Sequence, residues 1–286
     1  MASWQADLLG WSERTRRDLP WRRTRDPWAV LVSELMLQQT QVARVIEPYR
    51  AFLERFPDPA TCAAAPSGDV VRLWAGLGYN RRALHLHGAA RHCVDHHQGR
   101  LPRCFADLLA LPGVGPYTAR AVLAFAYERD VGVVDTNAAR VHARLAGGRL
   151  TLGQVQAAAD AAVPAGEGWA WNQAILDLGA TVCTKRSPRC DACPVSARCN
   201  WWQRGRPDPD PATGSAGTSG RQSAFQGSDR EGRGRLVSGL RKGVISDDEL
   251  AEVMGWPDDL ERAERVAADL LAEGLIDRDK RGWRLP

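Results

Sequence analysis

Apolar side chains recur every three or four residues along most of the first 200 positions, the spacing that collects them on one face of a helix. In the run 28–47, WAVLVSELMLQQTQVARVIE, Val32, Leu35, Met36, Val42 and Ile46 make such a stripe. The same spacing predicts helices near 50–55, 67–75, 81–97, 104–110, 117–127, 137–145, 153–162 and 169–181. No segment alternates strictly enough for a half-buried strand. The one β-rich piece, Val131 to Val134, ends at once in Asp135. The expected body is therefore all-α.

From Pro207 to about Gly227 the pattern lapses into Pro, Gly, Ser and Thr, as in PDPDPATGSAGTSG, which offers little apolar surface to bury. A flexible linker is expected over 204–227. Residues 228–286 then give three short helical patterns, 231–241, 247–254 and 258–273, and end in LIDRDKRGWRLP, expected to form a small β-hairpin. That order suggests a winged-helix-like unit.

At 286 residues the chain is long enough for a well-buried core and two domains. Its start lacks the charged and apolar regions of a secretory signal, and no run approaches the roughly 18 apolar residues of a membrane span. The expectation is a soluble, cytoplasmic protein with no membrane partner. The net charge of +4 is unevenly placed: residues 1–206 carry 26 Lys and Arg against 18 Asp and Glu, and the rest 12 against 16. Nearly all the early cations are arginines, with a cluster at Arg14, Arg16, Arg17, Arg22, Arg23 and Arg25. Guanidinium forks suit phosphate, so a polyanion is a natural partner, although a solvated basic face reads the same way.

Cys183, Cys190, Cys193 and Cys199 follow the spacing C-x6-C-x2-C-x5-C. Four thiols in seventeen residues, without a secretory signature, point to one metal centre rather than to disulfides. Spacing alone leaves a four-thiolate zinc site and a [4Fe-4S] cluster equally open. Cys62, Cys93 and Cys104 are expected to be inert buried thiols.

Leu111-Pro112-Gly113-Val114-Gly115-Pro116-Tyr117 separates two helical patterns. Pro112 stops the first helix and the glycines permit positive φ, so the second helix can offer backbone N–H groups and its dipole to a phosphate; an ordinary tight turn between helices uses the same residues. Two carboxylates stand out. Glu34 sits among Val32, Leu35, Met36 and Leu37, where desolvation should favour its protonated form. Asp135 precedes a helix as an N-cap, where backbone N–H groups should keep it ionised. In isolation each also reads as a plain structural residue.

Taken together, LPGVGPYTARA, VVDTNAARV and the four-cysteine loop resemble the helix-hairpin-helix superfamily of base-excision DNA glycosylases. SELMLQQTQVARVI at 33–46, GLGYNRRALHLH at 76–87 and WNQAILDLGATVC at 171–183 are similar to the adenine DNA glycosylases of the MutY type, over roughly residues 4–203. The resemblance implies a two-lobed fold: one helical lobe over 23–127 with the hairpin at about 104–127, and a second from 1–22 and 128–203 that carries the cysteine loop. It implies a [4Fe-4S] cluster on the four cysteines and a monomer acting on double-stranded DNA with a mispaired adenine, nucleoid-associated in a bacterium. In that family Glu34 protonates the extruded adenine, Asp135 supports the sugar cation, and Tyr117 and Asn137 lie beside the reacting centre. Gln38, Gln39 and Tyr79 part the strands, Leu111, Gly113, Val114 and Gly115 hold the backbone, and Arg22 lies at the adenine pocket.

Relatives that also nick the strand carry lysine where Tyr117 stands, and no lysine precedes Lys185. The resemblance thus implies a monofunctional enzyme that removes adenine opposite 8-oxoguanine or guanine. Two features depart from the family: Thr136 replaces the usual glycine, and the C-terminal unit lacks the pattern of a hydrolase-like domain that grips 8-oxoguanine. That unit is left as a possible contact for a repair partner. A mismatch thymine or uracil glycosylase, a non-catalytic iron-sulfur DNA-binding protein and, more weakly, a redox carrier are the competing readings.

Overall fold

A computed structural model describes residues 3–215 and 224–286. The described chain is almost wholly helical; a two-stranded antiparallel hairpin, Asp277–Asp279 with Gly282–Arg284, is the only sheet among the described residues. It divides into two compact units. Described residues within Met1–Val30, Arg103–Phe105 and Gly115–Arg221 form the first, and those within Leu31–Pro102, Ala106–Val114 and Gln222–Pro286 the second. The expected lobe limits at 22/23 and 127/128 are thus displaced to 30/31 and 114/115, and the C-terminal residues belong with the second unit.

In the first unit the helices Ser3–Thr15, Thr136–Ala146 and Gly168–Thr181 pack around Leu8, Val141, Trp171, Ile175 and Leu178, all at most 2% exposed. Trp4 meets Trp171 edge to face at 5.1 Å. Val131 to Val134 forms no strand and pairs with none among the described residues. Asn172 supplies the missing pairing: its side chain accepts from Val133 N at 2.7 Å and donates to Val131 O at 2.8 Å. Arg22 is fixed in this unit by Asp177, which accepts from its Nη1 at 2.7 Å and its Nη2 at 2.9 Å, while Arg17 Nε donates to Asp177 Oδ1 at 2.6 Å. Burial alone would raise the Asp177 carboxyl; the hydrogen bonds and charges of Arg22 and Arg17 outweigh it and hold the group below the usual carboxylate range.

The second unit is built on Phe52, which meets Phe56 and Trp74 edge to face, with the helix Arg81–His97 packed on Pro59–Ala64. Cys62 and Cys93 are buried as expected, and burial pushes their thiols up to about 12 and about 11. Cys104 is exposed instead. The expected single helix over 28–47 is two, Pro27–Leu37 and Val42–Arg55, because Gln39 turns left-handed at φ 53°. The helices Asp229–Leu240, Leu250–Met254 and Leu260–Ala272 and the hairpin follow the sequence pattern closely. Arg241 fixes them to the rest of the unit, donating to Val71 O at 3.1 Å and to Asn80 Oδ1 at 2.9 Å.

The expected linker is ordered where it is described. Trp201 Nε1 donates to Pro207 O at 3.0 Å, Asp210 pairs with the buried Arg144, and Ala212 and Ser215 are buried. Composition gives no sign of the buried guanidinium to which Asp210 is tied. Residues 216–223 of the expected linker lie outside the described residues.

Asp177 is 1% exposed and neutralises two cations. Asp177→Ala leaves the buried Arg22 uncompensated and should destabilise the protein by about 3 kcal/mol. Urea denaturation of the two proteins at neutral pH measures it.

Candidate active site

Glu34 lies on the helix Pro27–Leu37, whose first turn is capped by Asp26 accepting from Ala29 N at 3.0 Å. It is 5% exposed, and Leu31, Val32, Leu35 and Met36 beside it are wholly buried. The sequence placed a carboxyl in a dry apolar setting, and that is its environment.

Asp135 is the N-cap of Thr136–Ala146. Its Oδ1 accepts from Ala138 N at 2.7 Å and its Oδ2 from Asn137 Nδ2 at 2.9 Å, so both oxygens are fixed. The expected lowering of its pKa does not occur. Burial pushes the carboxyl up and outweighs the stabilising hydrogen bonds from Ala138 and Asn137. Asn137 is itself held by Arg140, whose Nη2 donates to its Oδ1 at 2.7 Å and to Gly179 O at 2.7 Å, while Nε donates to Cys183 O at 2.7 Å. Gly179 permits this approach: a Cβ there would stand 2.6 Å from Asn137 Cβ. Thr136 is exposed, and its carbonyl accepts from Arg140 Nη1 at 3.3 Å. Arg140 carried no signal beyond its place in the VVDTNAARV run. Glu34 belongs to the second compact unit, whereas Asp135, Asn137 and Tyr117 belong to the first.

In the hairpin, Gly113 takes φ 76°, and a Cβ there would meet His85 at 2.5 Å, so glycine is required twice over. Gly115 stands at the N-cap of Pro116–Phe125 with no capping side chain. Leu111 and Val114 are buried, and Val114 N donates to Leu111 O at 3.1 Å. Their side chains are thus core residues, which leaves the exposed Gly115 main chain as the accessible part of the turn. Tyr117 is half-buried in the first turn of the helix.

Gln38, Gln39 and Tyr79 come together on one cleft of about 760 Å³ in the second unit. Tyr79 is 44% exposed and left-handed at φ 46°, between Gly78 and Asn80. A residue that sequence reasoning missed, Arg82, organises this region. It is 6% exposed and has no carboxylate partner among the described residues; Nη1 donates to Leu35 O, Met36 O and Gln38 O at 2.6–2.9 Å, and Nη2 to Leu77 O, Gly78 O and Thr40 Oγ1 at 3.0–3.2 Å. Burial pushes its guanidinium down to about 10. It caps the end of Pro27–Leu37 and joins that end to the turn carrying Tyr79.

Cys183, Cys190, Cys193 and Cys199 line one small cavity together with Arg144 and Trp201. Among the described residues no three His, Cys, Asp or Glu groups are gathered to hold a single metal ion, although all four cysteines line this cavity. Arg144 Nη1 donates to Cys183 Sγ at 3.3 Å and to Thr184 O at 2.8 Å, and the guanidinium stacks over Trp201 at 4.7 Å. Burial pushes the thiols of Cys190, Cys193 and Cys199 upward, that of Cys193 to about 11, so metal binding must displace protons. Arg22 is held by Asp177 rather than presented to solvent. No described helix is long and apolar enough to cross a membrane.

Comparison with known proteins adds the following. Residues 32–162 match the HhH-GPD superfamily of base excision DNA repair proteins. A protein of Mycobacterium tuberculosis named adenine DNA glycosylase is 41% identical over 279 residues, covering 95% of this chain and 90% of its own length. The human protein of that name is 40% identical over 219 residues, 71% of this chain and 40% of its own. Among solved structures, that of a thermostable thymine-DNA glycosylase superposes with a TM-score of 0.67 at 31% identity, covering 71% of this chain and 96% of that one. A trapped endonuclease III–DNA covalent intermediate superposes with a TM-score of 0.62 at 23% identity, covering 71% and 95%, which shows the shared fold.

Arg82→Ala strands several buried carbonyls at once and should cost on the order of 3 kcal/mol. Hydrogen exchange read by mass spectrometry should show protection lost first at residues 76–83; protection unchanged there would remove Arg82 from this role.

Proposed function

The chain belongs to the HhH-GPD superfamily of base excision DNA repair proteins and, within it, to the adenine DNA glycosylase family; from that premise we propose that it removes adenine mispaired with 8-oxoguanine or guanine and leaves the abasic strand uncut. Breaking a purine–deoxyribose bond calls for an acid at the leaving base and an anion beside the sugar. Glu34 gives its proton to N7 of the extruded adenine. The C1′–N9 bond breaks with its electron pair passing to the base, and the Asp135 carboxylate stabilises the sugar cation. Water then adds at C1′ and gives up a proton to the Glu34 carboxylate, which restores the acid. Tyr117 and Asn137 flank the reacting centre, Asn137 as the group that orients Asp135.

The observation that carries the reading is the setting of Asp135, a half-buried carboxylate with both oxygens fixed by hydrogen bonds. An anion held in a low-dielectric setting acts strongly on a nearby cation and needs no reorganisation when that cation forms. Tyr117 cannot supply the amine of a Schiff base, which supports hydrolysis without strand cleavage. Gln38, Gln39 and Tyr79 part the duplex as the base leaves the stack. Gly113 and Gly115, with the main chain of Leu111 and Val114, take the phosphate backbone, and Arg22 shapes the adenine pocket through its tie to Asp177.

The four cysteines that line one cavity, Cys183, Cys190, Cys193 and Cys199, are a donor set that suits a [4Fe-4S] cluster, in keeping with the family. When bound, the cluster supplies rigidity to the loop beside DNA. Residues 228–286 are read as a winged-helix-like unit, and the enzyme as a cytoplasmic monomer acting on duplex DNA, nucleoid-associated in a bacterium. The 31% identity with a thymine-DNA glycosylase supports one alternative, a mismatch thymine or uracil glycosylase.

Single-turnover assays on duplexes with A opposite 8-oxoguanine, A opposite G, and T or U opposite G decide between them: adenine release is expected, and pyrimidine release would select the alternative. Glu34→Gln and Asp135→Asn should each slow excision by at least about 100-fold with duplex binding retained. Borohydride should trap no covalent adduct. Because burial raises the Asp135 carboxyl, its ionised form is lost at a higher pH than for an ordinary aspartate. The acid limb of the rate profile should sit correspondingly higher. The sign for stability is opposite to that of a salt-bridged acid: the charged group costs stability above its folded pKa, and the cost is relieved as pH falls through it.

A further inference from the structure

The cleft beside Tyr79 has a second wall. Gln38, Gln39 and Tyr79 form one side; Phe225, Arg230 and Arg233, at the start of the C-terminal helices, form the other. All these residues belong to one compact unit. Arg44 and Arg81 add charge between the walls, and the one acid among the described lining residues, Glu273, is occupied by Arg233 at 2.5 Å. Phe225 is 59% exposed and Tyr79 44%, so the cleft presents two aromatic faces within a cationic lining. The wall is anchored. Arg241 donates to Asn80 Oδ1, the residue next to Tyr79, and to Val71 O, while the C-terminal Pro286 carbonyl lies against Gly68, leaving no room for a Cβ there. The overall acidity of the last 80 residues hides this local reversal of sign.

We propose that residues 224–241 form the far wall of a DNA cleft, in which Arg230 and Arg81 take phosphates of the strand that runs past Tyr79 and Phe225 packs on one of its bases or sugars. The inference rests on the reading of the chain as a DNA glycosylase and assigns to its C-terminal unit a direct share in substrate binding. The reasons are chemical. Cations and exposed aromatic faces combined in one groove are the recognition set for a nucleic-acid strand, since phosphate supplies the charge and every base has a π face. An acidic protein segment would satisfy the arginines but leave no need for two exposed rings.

The test uses the full-length protein and a 30-base-pair duplex carrying an abasic-site analogue opposite guanine. Arg230→Ala should weaken binding about threefold and reduce the slope of log affinity against log salt by about one. A photo-crosslinking phenylalanine at position 225 should label DNA, whereas the same group at the exposed Leu260, which does not line the cleft, should not. An unchanged salt slope with no DNA label from position 225, or a label found only on protein, overturns the proposal. Binding and excision by the unaltered protein separate the two readings. If it excises adenine while Arg230→Ala and the crosslink are silent, only the cleft assignment fails; if it neither binds the duplex nor releases a base, the glycosylase reading itself fails.

Discussion

A backbone carbonyl withdrawn from water must find a donor, and at three irregular segments of this protein the donor is a buried arginine. Arg82 bonds five carbonyls drawn from Leu35–Gln38 and Leu77–Gly78. Arg140 joins the carbonyls of Gly179 and Cys183 to the amide that orients Asp135. Arg144 joins Thr184 and Lys185 to the Cys183 sulfur and to Asp210. A guanidinium has five N–H groups in a fixed fork, so one side chain can hold several irregular segments at once. Lysine has neither the span nor the planarity, which gives the near-absence of lysine in the first 206 residues a structural meaning beyond affinity for phosphate.

The arrangement explains why irregular backbone is tolerated where chemistry is assigned. Gln39 and Tyr79 both hold left-handed conformations that a non-glycine residue adopts at a cost. The Arg82 fork binds the carbonyls that lead into both turns and the Thr40 hydroxyl that follows the first, so the strain is offset by hydrogen bonds that no regular helix end would make. At Asp135 the same logic works through side chains. Its hydrogen bonds do not suffice to lower the pKa against burial, but they fix the direction of the carboxylate, and direction is what electrostatic stabilisation of a cation requires.

Much of this was legible in the residues themselves. Helical periodicity recovered most helices, including the three in the C-terminal unit, because each buries a stripe that repeats at the helical spacing. The glycines of the hairpin, the four-cysteine spacing, the apolar setting of Glu34 and the N-cap at Asp135 are local features, written in a few neighbouring residues. Other features were not local. The break at Gln39 depends on Arg82, some forty residues away. The order of residues 207–215 depends on Arg144, and the exposure of Cys104 on where the chain turns.

The amino-acid sequence by itself determined the helical class, the position of the hairpin, the apolar setting of Glu34, the N-cap place of Asp135 and the lack of any lysine before Lys185, since each follows from short-range spacing and residue chemistry. Only the tertiary structure decided which groups are buried together. Desolvation depends on every neighbour in space, which is why Asp135 is raised rather than lowered, Leu111 and Val114 are core, Arg22 is paired with Asp177, and an acidic tail turns an arginine-bearing face toward Tyr79.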